Sequence, residues 1–255
     1  HPDYSASTTP IVRLLNIFIP YAWAVNSHVA DEEKDSSQYF TAADSANISV
    51  TGDATWEWWF KAESQPANDN IYRFFDKYQG ASNKSYYLGY AASGVGATSL
   101  QMATFNSTCT AGEVTKTFAQ ILTAGDWNHL AAVYTASAGT VDWYSASTTA
   151  SVHTSIGQMT GFATSICDGN STLYLGAADV VQFLDGKIDD VRIWSEARSV
   201  ANLDANFKCE LNGNETNLQA YWQLNNGLED KGHTTDPAGS NADDLTNVNT
   251  ATFET

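Results

Sequence analysis

The sequence predicts an all-β protein, a sandwich or barrel of short strands carrying one short helix. Three observations support this. From residue 38 onward, apolar and polar residues alternate with period two in short runs, the pattern of half-buried strands. Gly, Ser and Asn clusters separate the runs at the regular spacing of turns in sandwiches and barrels. Only residues 195–207 hold apolar side chains at helical spacing.

Taken in order, ATWEWWFKAE puts Trp56, Trp58 and Phe60 on one face and Glu57, Trp59 and Lys61 on the other. That predicts a strand with one buried face. IYRFFDKY, SYYLGYAA and LQMATF repeat the theme. HLAAVYTASAGTVDWYSA reads as a hairpin, two alternating runs joined through Ser, Ala and Gly. STLYLGAA follows, and then GKIDDVRIWS, entered through the turn pair Asp185-Gly186. In SEARSVANLDANF, Ser195 is the expected N-cap and Val200, Leu203 and Phe207 form the apolar stripe of a helix near 196–207. LQAYWQL is the last expected strand. No linker or internal repeat divides this region, so 31–255 is expected to be one domain and 1–30 an N-terminal apolar extension.

Four stretches, in this order, resemble the laminin-G-like, concanavalin A-like lectin/glucanase family. They are DSSQYFTAADSANISVTGDATWEWWFKAE, DWNHLAAVYTASAGTVDWY, FLDGKIDDVRIWSEARS and LQAYWQLNNG. The resemblance spans roughly residues 35–230 and implies a two-sheet antiparallel jelly-roll β-sandwich, with sugar binding as the commonest role. It also leaves room for a structural calcium at a loop rim, held by carboxylates and carbonyls. Asp185, Asp189, Asp190 and the Asp243-Asp244 pair are the acids available for it, though no spaced Asp motif fixes the ligands.

Composition narrows the function classes. A formal net charge of -17 and few Lys and Arg argue against nucleic acid and anionic membrane surfaces, whose phosphates would be repelled. The three cysteines, Cys109, Cys167 and Cys209, show no C-x-x-C spacing, which removes zinc and thioredoxin-type chemistry. A Cys109–Cys167 disulfide is the favoured pairing, with three reduced thiols as the alternative. N-x-S/T sequons at Asn47, Asn83, Asn106, Asn170 and Asn214 permit glycosylation, but a chain this rich in Asn, Ser and Thr nearly reaches that number by chance.

Glycoside hydrolysis needs two carboxylates about 5 Å apart on one face. Glu57 and Glu63 are six residues apart with no acid between them, and strict alternation places Asp189 and Asp190 on opposite faces. His129, His153 and His233 have no nucleophile in a recognisable context. The expectation is a chain without catalytic residues or cofactor. Trp59, on the face opposite Trp56 and Trp58, is the candidate for stacking on a sugar ring.

The remaining signal is PIVRLLNIFIPYAWAV, residues 10–25. As a secretion signal it has the wrong flank, acidic where a basic one is needed, and Asn16 and Pro20 break the run. The first residue is His1, not Met, which suggests processing ahead of it. As a membrane span the run is shorter than the roughly 20 residues required. Both strand faces are apolar, as in a strand between two layers. Ile11, Leu15, Ile17, Phe18, Ile19, Tyr21 and Trp23 are therefore expected to dock into a neighbouring subunit's sheet. A head-to-tail contact of this kind builds a filament or surface layer outside the cell. The competing reading is a monomeric carbohydrate-binding or adhesion module with the strand docked at home, and a glycoside hydrolase comes third.

Overall fold

The computed structural model describes residues 28–66, 70–80, 83–92, 98–106, 108–109, 113–120, 122–179, 181–232 and 243–254. The predicted docking strand, residues 10–25, lies outside them. Fifteen strands appear in chain order: β1 Val29–Glu32, β2 Tyr39–Ala42, β3 Ala54–Ala62, β4 Ile71–Lys77, β5 Tyr86–Ala92, β6 Thr98–Thr104, β7 Val114–Ala119, β8 Trp127–Thr135, β9 Thr140–Ser147, β10 Thr154–Thr160, β11 Leu173–Leu175, β12 Gly186–Trp194, β13 Leu218–Trp222, β14 Thr246–Val248 and β15 Thr252–Glu254. They form two antiparallel sheets. One has eight strands in the order β10-β9-β8-β3-β12-β1-β15, with β13 also paired to β12. The other has seven, in the order β14-β2-β11-β4-β5-β6-β7. The fold is a jelly-roll β-sandwich.

Alternation builds the core between the sheets. Trp56, Trp58 and Phe60 of β3 are all but completely buried. Trp56 meets Tyr86 at 4.9 Å, and Trp58 meets Phe74 at 4.8 Å and Phe75 at 5.1 Å, ring centre to ring centre. The β8–β9 hairpin turns through Ala136–Ala138 and Gly139, whose φ of 60° is left-handed. A Cβ at Gly139 would collide with the Phe162 carbonyl, so the turn requires glycine.

Three local expectations are corrected. First, β3 is buried on both faces: Glu57 and Trp59 are as enclosed as the core tryptophans, because residues from the far end of the chain cover the outer face of the eight-stranded sheet. Second, the helix α1 is shorter than expected, Val200–Asn206, and its N-cap is Ser199, whose hydroxyl accepts from Asn202 N at 3.2 Å, not Ser195. The reason is Thr55. Its Oγ1 donates to Glu196 O (2.7 Å) and accepts from Arg198 N (3.1 Å), which holds residues 196–198 against β3 and out of the helix. Third, the register between β12 and β3 shifts between Asp189 and Arg192, with Asp190 at φ 50°. This bulge turns Asp190 toward Arg192 and Tyr221 on the outer side and ends the alternation that put the two acids on opposite faces.

Candidate functional site

The outer face of the eight-stranded sheet holds the acids and histidines that the enzyme reading weighed, and it is closed. Glu57 Oε1 accepts from the Trp194 indole at 2.8 Å and lies 3.5 Å from Arg192 Nη1. Arg192 donates to the carbonyls of Asn206 (3.0 Å) and Cys209 (2.7 Å), tying the end of α1 to the sheet. His129 Nδ1 is 2.8 Å from His153 Nε2, whose other ring nitrogen is 2.8 Å from Asp204 of α1. Burial holds the His129 imidazole well below the usual histidine range, with the neighbouring His153 acting in the same direction. Glu57, His129 and Arg192 are fully buried in this layer. His233 lies outside the described residues.

Trp59 belongs to the same closed layer. Its indole donates to the Phe207 carbonyl at 2.8 Å and its ring stacks on Phe207, leaving 2% of the residue exposed. The expected stacking platform is therefore a clamp for the segment after α1. The acids proposed for calcium do not converge. Asp185 takes Lys34 Nζ at 2.5 Å, Asp243 takes the Asn47 amide at 2.7 Å, and Asp244 accepts from Asp230 N at 2.8 Å. Among the described residues the acids that gather are Asp31, Glu33 and Glu63, within 4.8 Å of one another. The Lys187 ammonium lies 3.7 Å from Asp31 and 3.5 Å from Glu63 and is also paired with Glu254, so it offsets only part of the trio's charge.

Cys109 and Cys167 are joined in a disulfide, with Cα atoms 5.3 Å apart, and Cys209 is a free thiol. Of the sequon asparagines, Asn83, Asn170 and Asn214 are exposed, while Asn47 and Asn106 are half-buried.

The outer face of the seven-stranded sheet is different in kind. Register aligns one row across it, Thr41, Tyr174, Asp76, Tyr87, Ala103 and Thr115, and beside it a second row, Arg73, Gly89, Gln101 and Thr117. Strict alternation would separate Arg73 from Asp76, three residues on. A bulge between Arg73 and Phe75 brings them to the same side, while Phe74 and Phe75 both enter the core. The doubled Phe in IYRFFDKY is the sequence signal for that bulge. Each Phe alone suits a regular strand, which hides that signal.

The Arg73 guanidinium lies over the Tyr87 ring at 3.5 Å, and its Nε donates to Gln182 Oε1 at 2.9 Å. Gly89, opposite Arg73, leaves the space: a Cβ there would come within 2.9 Å of Ile71 Cγ2 and 3.0 Å of Tyr72 O. Asp76 lies 3.7 Å from Arg73 Nε and accepts from the Gln79 amide at 2.7 Å. Burial pushes the Asp76 carboxyl up to about 7 against the pull of Arg73 and Gln79. Tyr39 and Tyr174 stack at 5.5 Å, and Phe183 joins them at 5.9 Å from Tyr39, so an aromatic patch flanks the charged pair. Arg73 Nη1, Asp76 Oδ2, Gln79 Oε1 and Gln101 Oε1 are buried, and no described residue hydrogen-bonds to them. Leaving such a group unmet costs about 1–3 kcal/mol each. Glu57 Oε2, His129 Nε2, Arg192 Nε and Arg198 Nε on the other outer face are likewise buried without a hydrogen bond, but there α1 and the segment after it lie over them.

Comparison with known proteins agrees with the fold. A proposed carbohydrate-binding protein from Bacteroides ovatus superposes with a TM-score of 0.64 at 17% identity, covering 90% of this chain and 60% of its own. Tailspike protein 2 of Escherichia coli O157:H7 bacteriophage CAB120 superposes with a TM-score of 0.54 at 13% identity, covering 79% of this chain and 30% of its own. At these identities the likeness is one of fold, and the chain spans less than two thirds of either structure. No curated relative matches by sequence. The family model Laminin_G_3 matches residues 34–204, and on that match the chain belongs to the concanavalin A-like lectin/glucanases superfamily.

Proposed function

We propose that the protein is a non-catalytic carbohydrate-binding module whose sugar seat is the outer face of the seven-stranded sheet. One observation carries the reading: Tyr174, stacked on Tyr39, is in register with Asp76 of the Arg73–Asp76 pair, beside buried polar atoms without a hydrogen bond. Sugars present apolar ring faces and dense hydroxyls, and they are held by aromatic rings beside fixed polar groups. On the opposite face the aromatic rings and polar groups are buried beneath α1 and the segment after it. The Cys109–Cys167 disulfide favours an oxidising, extracellular setting, where glycans are displayed. Among the described residues no helix is long and apolar enough to cross a membrane.

Self-assembly through residues 10–25 is not part of this reading. Those residues lie outside the described ones, and nothing in the described sandwich favours a donated strand. Binding of the full chain to a panel of immobilised glycans tests the proposal, with Tyr174→Ala as the control variant. Binding that falls roughly tenfold or more in a folded Tyr174→Ala supports it. The Asp76 carboxyl has the proton affinity of a general acid, so each bound glycan is also assayed for cleavage. Hydrolysis abolished by Asp76→Asn would replace the module with an enzyme.

A further inference from the structure

Resting on that reading, we infer that the seat takes a neutral saccharide through two adjacent hydroxyls, one donated to Asp76 and the other accepting from Arg73, and that it rejects acidic sugars. The argument is a census of what the face offers. Three of its four unpartnered buried atoms are acceptors, Asp76 Oδ2, Gln79 Oε1 and Gln101 Oε1, and one is a donor, Arg73 Nη1. The orientation of the Gln79 amide is not arbitrary. Its nitrogen donates to Asp76 Oδ1 at 2.7 Å and lies 3.4 Å from Asp76 O, so its oxygen is fixed as an acceptor. A hydroxyl supplies both a hydrogen and lone pairs, and adjacent hydroxyls satisfy acceptors and a donor together. A carboxylate or sulfate supplies lone pairs alone and would leave the three acceptors unmet.

Charge points the same way. Arg73 is the one cation this row presents, and Asp76 lies 3.7 Å away, with Asp179 held close by Tyr174. An anion arriving at Arg73 would face those acids and a chain of net charge -17. The guanidinium is also held by Tyr87 beneath it, with Asp76 3.7 Å from its Nε. Access requires one side chain to turn. Gln182 is half-buried, stands at φ 56°, and its amide oxygen occupies Arg73 Nε. The flanking Tyr174 and Phe183 then meet the ring face of the next sugar.

The test is calorimetry with the full chain at pH 8 against neutral oligosaccharides and matched uronic- or sialic-acid oligosaccharides, using the wild type, Asp76→Asn and Arg73→Lys. The expected result is binding of at least one neutral oligosaccharide and no acidic one. Asp76→Asn and Arg73→Lys should each weaken binding roughly tenfold or more with unchanged circular dichroism. Acidic-only binding that is lost in Arg73→Lys overturns this inference and leaves the carbohydrate-binding reading standing. Neutral binding indifferent to both variants also overturns it, by moving the seat elsewhere. Failure to bind any saccharide ends both.

Discussion

Asp76 is the residue on which most depends. Its carboxyl is almost completely buried and is raised from 3.8 to about 7 by desolvation. The folded state therefore holds this proton more tightly than the unfolded chain, and between about pH 4 and 7 stability falls as pH rises. Asp76→Asn removes the titration. The variant should be more stable than wild type at pH 8, by up to a few kcal/mol, and the gain should vanish near pH 4 in urea melts. A gain equal at both pH values would mean that the carboxyl titrates normally. Of this site the sequence showed the residue types but not the meeting. Trp56 and Trp58 were legible as core because burial follows parity. Trp59 was not, because its cover, Phe207, lies 148 residues away and no local pattern encodes it. Arg73 and Asp76 share a face only because of a bulge, which parity reasoning excludes by construction.

At the scale of elements, β3 is the centre of the molecule, with β8 on one side and β12 on the other. Trp56→Ala on this strand should cost about 3–5 kcal/mol in a denaturant titration, as expected for a large side chain removed from a packed core. A cost below about 1 kcal/mol would contradict the packing described. The Cys109–Cys167 disulfide closes a separation of 58 residues. By loop entropy, replacing both cysteines with serine should lower stability by about 2–5 kcal/mol, and thiol titration of the unfolded native chain should find one free thiol, Cys209. Three free thiols would refute the pairing. Strand positions were readable wherever an alternating run was bounded by turns. The acidic β1, the polar β7 and β10, and the short β14 and β15 were not, because they take their identity from the strands they pair with. The helix was misplaced at its start for the same reason: Ser195 looks as good a cap as Ser199 until Thr55 claims the residues between them.

At the scale of the whole molecule, buried acids set the response to pH. Glu32 is raised well above the usual carboxylate range, and Asp76 and Asp230 are each pushed up to about 7, all chiefly by burial. Each contributes stability that is lost as pH rises, for Asp76 and Asp230 between about 4 and 7. His129, held low by burial, acts the other way below about pH 6.5, where the unfolded chain takes up a proton that the folded one refuses. Asp31, pushed up to about 6 chiefly by burial, acts with the three acids. Four groups oppose one, so the melting temperature should be higher at pH 5 than at pH 8, as scanning calorimetry can check; the reverse order would contradict the assigned burial. The two sheets also divide the labour: α1 and the segment after it cover one outer face, and the other presents an aromatic patch beside the Arg73–Asp76 pair. The most direct test of that division is an NMR titration of the isotope-labelled protein with whichever oligosaccharide it binds. The account predicts shifts concentrated at Arg73, Asp76, Tyr87, Gln101 and Tyr174, with His129, Arg192 and Phe207 unmoved. Shifts centred on the eight-stranded sheet, or none at saturating sugar, would contradict it.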